Sequence, residues 1–258
     1  MEKGICTYTI IPVRKFPTET SEMITQILFG ELFSVLEYSE NWALIKLDYD
    51  EYEGWIDKKL IVKTEPEFIN NLFPEQIKVS DKLICTARKD GTDGLIYLLM
   101  GSNFYNMTGN QFYLSNTKYE LSYPLNIPKP SKAETIIFTA LQMLNIPYLW
   151  GGRSSFGIDC SGLVQTACKV AGIKMPRDAS DQAFVGETVN SIIDAQTADL
   201  VFFENEEKKI IHTGILISPE KIIHASGSVR TDIIDQNGIF SLEKKEYSHK
   251  LKVIKRIL

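Results

Sequence analysis

The sequence predicts a multidomain protein: two small β-barrels followed by an α+β domain. Three observations carry this. Short apolar runs separated by turn residues fill the first half, a proline cluster interrupts the chain near residue 125, and a capped helix opens a half that mixes helical and strand patterns. At 258 residues the chain has room for several modules, and 44% hydrophobic with 24% charged residues is an ordinary folding composition.

The first barrel is expected over residues 1–64, where "ELFSVLEYSE", "NWALIKLDYD" and "GWID" read as strands around an acidic turn. Trp42 and Trp55 are read as core or rim aromatics. A second barrel is expected over residues 65–123, from "KLICTA", "LIYLLM" and "FYNMTGNQFYLS"; no period in the sequence links it to the first. The stretch "SYPLNIPKPSK" holds Pro124, Pro128 and Pro130, which favours an extended connector, so the last domain is placed at residues 124–258. Ser131 and Glu134 form a capping-box signature. Behind them Ile136, Ile137, Ala140, Leu141 and Leu144 predict the packed face of a helix that ends before Pro147. "ADLVFF", "IIHTGILI", "KIIHA" and "LKVIKRI" then read as strands.

A net charge of −5 excludes the basic footprint of a nucleic-acid binder. The four cysteines are scattered and form no CxxC pair, so reduced thiols are expected. No apolar run reaches the length of a membrane span, and the first residues lack a signal-peptide pattern. The expected location is cytoplasmic if the chain is complete and the cell envelope if a leader was removed.

The chemistry concentrates in "YLWGGRSSFGIDCSGLVQTACKVAGI". Leu163, Val164, Ala167 and Ala171 continue a helical pattern from Cys160, with Gly172 as its stop. Cys160 therefore lies in a first helical turn, where unpaired amides and the helix dipole favour a thiolate; a small buried cysteine fits the same pattern. Cys168 reads as mid-helix packing. A nucleophilic thiol needs a base, and the chain offers His212, His224 and His249. His249, in polar "EYSHK", reads as a surface residue. A three-residue loop at 218–220 would set Gly214 opposite His224 and bring His212 and His224 to one face, whereas a two-residue loop would separate them unless a bulge intervened. In this reading His212 takes the Cys160 proton, His224 orients the imidazole, and backbone amides at the helix start receive the oxyanion. Gly151 and Gly152 permit unusual dihedrals or close backbone approach. One Cys and two His without short ligand spacing make zinc the weaker reading, and no cofactor is expected.

The ordered set "PYLWGG", "DCSGLVQTA", "PRDASDQ", "ADLVFF", "IHTGILI" and "IIHASG" resembles the NlpC-like bacterial cell-wall cysteine peptidases. The resemblance covers about half the chain and implies a papain-like fold with Cys160, His212 and His224 as the triad. "PVRKFPTETSEMITQILFGE" and "YEGWID" are similar to the bacterial SH3-like domains of members that cut γ-D-glutamyl bonds; the second barrel matches them weakly. The resemblance implies a peptidoglycan-derived peptide beginning L-Ala-γ-D-Glu, cleaved before lysine or diaminopimelate. The sequence leaves the oligomeric state open, with a monomer favoured. Tyr148, Trp150, Asp159 and Ser161 match cleft-lining positions. Arg177 and Asp178 match the site of the substrate amine, although the two also read as a surface ion pair. Glu22 and Tyr52 match first-barrel positions that close the cleft. Ala179 stands where this subgroup usually has serine. A thiol-dependent amidase or acyltransferase, and a non-catalytic protein that binds wall fragments, are the alternative readings.

Overall fold

The computed structural model describes residues 2–73, 76–124, 131–241 and 245–258. The chain divides into two compact units, Met1–Pro128 and Lys129–Leu258. Pro128 and Pro130 of the expected connector lie outside the described residues.

In the first unit, β1 (Glu2–Ile5), β2 (Ile10–Arg14), β3 (Met23–Leu28), β4 (Leu32–Ser39), β5 (Trp42–Leu47) and β6 (Glu53–Asp57) form an antiparallel sheet in the order β1-β4-β5-β6-β2-β3. Alternation along these strands turns Ile11, Val13, Ala43, Ile45 and Ile56 into one aliphatic core. Trp42 and Trp55 are half-buried and stand at the alternate positions of β5 and β6, outside that cluster. A short helix α1 (Pro66–Asn70) leads to β7 (Ile77–Val79), β8 (Ile84–Lys89), β9 (Leu95–Leu99), β10 (Asn103–Thr108), β11 (Gln111–Leu114) and β12 (Thr117–Leu121). Their order, β7-β10-β11-β12-β8-β9, repeats that of the first sheet strand for strand.

The two sheets share a core. Phe29, at the end of β3, packs edge-on to Phe112 and Tyr119 with ring centroids 6.0 and 5.4 Å away. Its carbonyl accepts the Asn103 N–H at 2.9 Å, and the Tyr105 hydroxyl donates to Gly30 O at 2.6 Å. Gly30 has φ +79°, and a Cβ there would stand 2.1 Å from Asn103 O, so both its conformation and its contact require glycine. A boundary at residue 64 thus separates two sheets of one compact unit, because the second core is completed by Ile5 and Phe29 of the first.

In the second unit, α2 (Lys132–Gln142) begins with the expected capping box: the Ser131 side chain caps Glu134 N–H, and Glu134 returns to Ser131. Its buried stripe is Ile136, Thr139, Ala140 and Met143, at helical spacing. Leu141 and Leu144, expected in the packed face, are instead exposed, since Thr139 and Met143 complete the stripe. After the small hairpin β13 (Arg153–Ser154) and β14 (Gly157–Ile158) comes α3 (Cys160–Val170), buried from Cys160 through Lys169 and thus the central helix of the unit. Gly172, with φ +73°, follows it.

A four-residue helix α4 (Ala179–Gln182) precedes β15 (Glu187–Val189), β16 (Leu200–Glu204), β17 (Ile210–Ser218), β18 (Lys221–Ser226), β19 (Ser228–Asp235), β20 (Gly238–Ser241) and β21 (Glu246–Arg256). These strands pair in the order β15-β21-β16-β17-β18-β19-β20, and β21 also pairs with β20, closing six of them into a ring. Val201, Phe203, Leu216, Ile222, Ile234 and Ile239 form one apolar cluster of this sheet. No helix among the described residues is long and apolar enough to cross a membrane.

Candidate active site

Cys160 is the first residue of α3, and Asp159 is its N-cap, accepting the Gly162 N–H at 2.7 Å. The same carboxylate accepts the Gly151 N–H at 2.9 Å. Gly151 has φ +74°, and Gly152 lies against Gly157 O, 2.5 Å from where a Cβ would sit. The paired glycines therefore do separate work: one makes the turn and the other permits close backbone approach.

Arg177 closes the other side of Asp159 with a two-pronged contact, NH1 to Oδ1 at 3.1 Å and NH2 to Oδ2 at 2.5 Å, while NH1 also reaches Ser161 Oγ at 2.8 Å. Arg177, Asp159 and Ser161 are all buried. This corrects one expectation: the Arg177 ion pair is internal and made to Asp159 rather than to Asp178 at the surface. Asp178 is half-buried at the N-cap of α4 without capping it. Tyr148 is half-buried and Trp150 is exposed, and Ala179 opens α4. In the first unit Glu22 forms an ion pair with Lys15 at 3.2 Å, and Tyr52 packs against the aliphatic core.

The backbone amides of Ser161 and of Thr213, the residue after His212, both act on the Cys160 thiol, so the helix start meets the histidine strand here. Burial pushes the thiol up to about 11, with Asp159 adding to the rise; the two amides and Arg177 act in the opposite sense. The expected ease of ionisation is thus reversed, because desolvation outweighs the helix start.

β17 and β18 join through a two-residue turn, with Ser218 opposite Lys221, and a bulge between Leu216 and Ser218 restores Gly214 opposite His224. His212 and His224 therefore meet: His212 Nε2 lies 2.8 Å from His224 Nδ1, with the rings edge to face. Both are buried. His212 is held well below the usual imidazole range, first by burial and then by the neighbouring histidines.

Three further residues complete the cluster. His224 Nε2 lies 2.9 Å from Asp232 Oδ2 on β19, and Arg230 holds that carboxylate through Nε at 2.8 Å and NH2 at 2.9 Å. Asp232 is held below the ordinary carboxylate range chiefly by this His224 contact. The tight β18–β19 hairpin, with Ser226 opposite Ser228, places Arg230 opposite His224 and Asp232 two residues on, so hairpin arithmetic on "HASGSVRTD" would have found it. His249 on β21 is not a surface residue: it is half-buried and stacks on His212 with centroids 4.1 Å apart and planes 28° apart. Each member extends an apolar row of the ring: His212 follows Leu216, His224 follows Ile222, Asp232 follows Ile234, and His249 pairs across from Ile239. The polar chain thus forms one end of an apolar interior. Among the described residues, no three His, Cys, Asp or Glu side chains converge as a metal-holding set.

A cysteine at the start of a buried helix, set against histidines from an antiparallel sheet, defines a papain-like cysteine peptidase domain. Residues 145–250 match the NlpC/P60 family, and residues 13–61 match the bacterial dipeptidyl-peptidase SH3 domain. The chain is 30% identical to the gamma-D-glutamyl-L-lysine dipeptidyl-peptidase of Bacillus subtilis over 86% of its own length and 74% of that protein. It is 27% identical to dipeptidyl-peptidase 6 of Lysinibacillus sphaericus, over 81% and 82% of the two chains. An NlpC/P60 family protein from Bacillus cereus has the same fold across 99% of both chains, with a TM-score of 0.81 at 19% identity. The chain belongs to the NlpC/P60 family.

Proposed function

We propose that this protein hydrolyses the γ-D-glutamyl–diamino acid bond of peptidoglycan stem peptides that carry a free N-terminal L-Ala, releasing L-Ala-γ-D-Glu. The observation that carries the chemistry is the arrangement of Cys160 against the His212 strand, with His212 hydrogen-bonded to His224. The substrate class rests on the gamma-D-glutamyl-L-lysine dipeptidyl-peptidases to which the chain is similar over most of its length.

In the proposed mechanism His212 removes the Cys160 proton as sulfur attacks the γ-carbonyl carbon. Amides at the start of α3 receive the oxyanion, and the half-buried Tyr148 lines the cleft. Collapse of the tetrahedral intermediate breaks the C–N bond, and the imidazolium gives its proton to the departing diamino-acid amine. Water then attacks the thioester, losing a proton to His212, and the thiol is regenerated as the dipeptide carboxylate leaves. The resting pair is neutral on both sides, since burial raises the thiol and lowers the imidazole. Proton transfer therefore accompanies attack.

In this reading Asp178 holds the substrate amine, and Trp150 lines the open side of the cleft. Asp159, Ser161 and Arg177 act from behind, by fixing the helix start. The repeated strand order of residues 77–121 supports a second SH3-like barrel. Incubation with L-Ala-γ-D-Glu-L-Lys and with its diaminopimelate analogue, followed by mass identification of fragments, tests the proposal. Release of L-Ala-γ-D-Glu is expected, and two intact peptides would refute it.

A further inference from the structure

We infer that Asp232 is a positioning residue for the reaction, a fourth member of the polar chain that selects which nitrogen of His212 faces the thiol. The inference rests on the assignment of His212 as the base. Its logic is one of donors and acceptors. A carboxylate clasped by Arg230 accepts hydrogen bonds and donates none, so the atom 2.9 Å away, His224 Nε2, carries the proton. A neutral imidazole holds one N–H, which leaves His224 Nδ1 with a lone pair. The 2.8 Å contact between that atom and His212 Nε2 then requires the proton on His212 Nε2. His212 Nδ1 is left with the lone pair that accepts the Cys160 proton. Without Asp232, either tautomer of His224 is open, and the one that donates from Nδ1 would turn the His212 lone pair away from the thiol.

The surroundings make the arrangement one-sided. His224 is buried between its neighbours, with His212 on β17 and Asp232 and Arg230 on β19. His249 on β21 stands 5.9 Å from it, ring to ring. Of the groups the chain hydrogen-bonds to His224, Asp232 alone carries a negative charge.

Nitrogen-15 NMR of imidazole-labelled protein at about pH 8, above the ordinary imidazole range, reads the tautomers of the unaltered protein. His224 protonated at Nε2 and His212 protonated at Nε2 are expected. Asp232→Asn keeps the shape but presents an amide that can donate; it should move the His224 proton to Nδ1 and lower kcat at least about tenfold, with KM within about twofold. Asp232→Glu should restore the original tautomer and part of the rate. A His224 protonated at Nδ1 in the unaltered protein overturns the inference. So does Asp232→Asn with undiminished kcat, or with a lower kcat and unchanged tautomers. If the unaltered protein cleaves neither test peptide, the proposed function fails, and the tautomers still decide the role of Asp232.

Discussion

His212 Nε2 and His224 Nδ1 lie 2.8 Å apart, across two strands whose turn alone would have separated them. The β17 bulge before Ser218 corrects the register by one residue and sets both rings on one face. Deleting Ile217, the extra residue of that bulge, keeps Ser218 opposite Lys221 and Leu216 opposite Ile222 and so should retain hydrolysis, as read by circular dichroism and a peptide-cleavage assay. Hydrolysis lost in a variant that still folds would show that the bulge does more than set the register.

The high thiol value has a kinetic signature. With Cys160 raised to about 11, its alkylation by iodoacetamide should keep accelerating from pH 7 to pH 10. A plateau already reached at pH 8 would mean that a thiolate–imidazolium pair forms in the resting enzyme.

Burial also depresses His212, and His249 to about 4, so the unfolded chain binds protons at these positions before the folded chain does. Their neutral forms support the fold fully above about pH 6.5, the ordinary value, and stability falls as pH drops below it. Urea midpoints should decline between pH 7 and pH 5, and His249→Phe should flatten that decline. An identical slope in the variant would remove His249 from the account.

The stack of His249 on His212 should matter to rate through ring orientation. His249→Phe preserves a flat partner and should keep most of kcat; His249→Ala should lose about two- to tenfold, the equivalent of the ~0.5–1.5 kcal/mol of an aromatic pair. Equal rates in both variants would leave the stack without a catalytic part.

Arg177 should behave as a structural residue. Arg177→Met strands the buried Asp159 carboxylate and should cost about 3–5 kcal/mol in urea unfolding. A loss of substrate affinity at unchanged stability would instead return Arg177 to the cleft.

Much of the site was legible because it is local in sequence. The helix from Cys160 and the stop at Gly172 are contiguous, and the capping box at Ser131 is read directly from four residues. His249 was hidden because its neighbours Tyr247 and Ser248 are exposed, while closure of the ring through the β20–β21 and β16–β21 pairings, distant in sequence, carries it onto His212. The repeat in the first unit was hidden differently. One core is aliphatic, with Ile11, Val13 and Ile45, and the other is aromatic, with Phe104, Phe112 and Tyr119, so the same strand order is written in different residue types. The family resemblance set Asp159 and Arg177 at the cleft without revealing that they also pair with each other inside the protein.

The most direct measurement is the cleavage of L-Ala-γ-D-Glu-L-Lys by the unaltered protein and by Cys160→Ala, followed by mass spectrometry. The account predicts L-Ala-γ-D-Glu and free lysine from the first and intact tripeptide from the second. Dipeptide released at an undiminished rate by the alanine variant would contradict it.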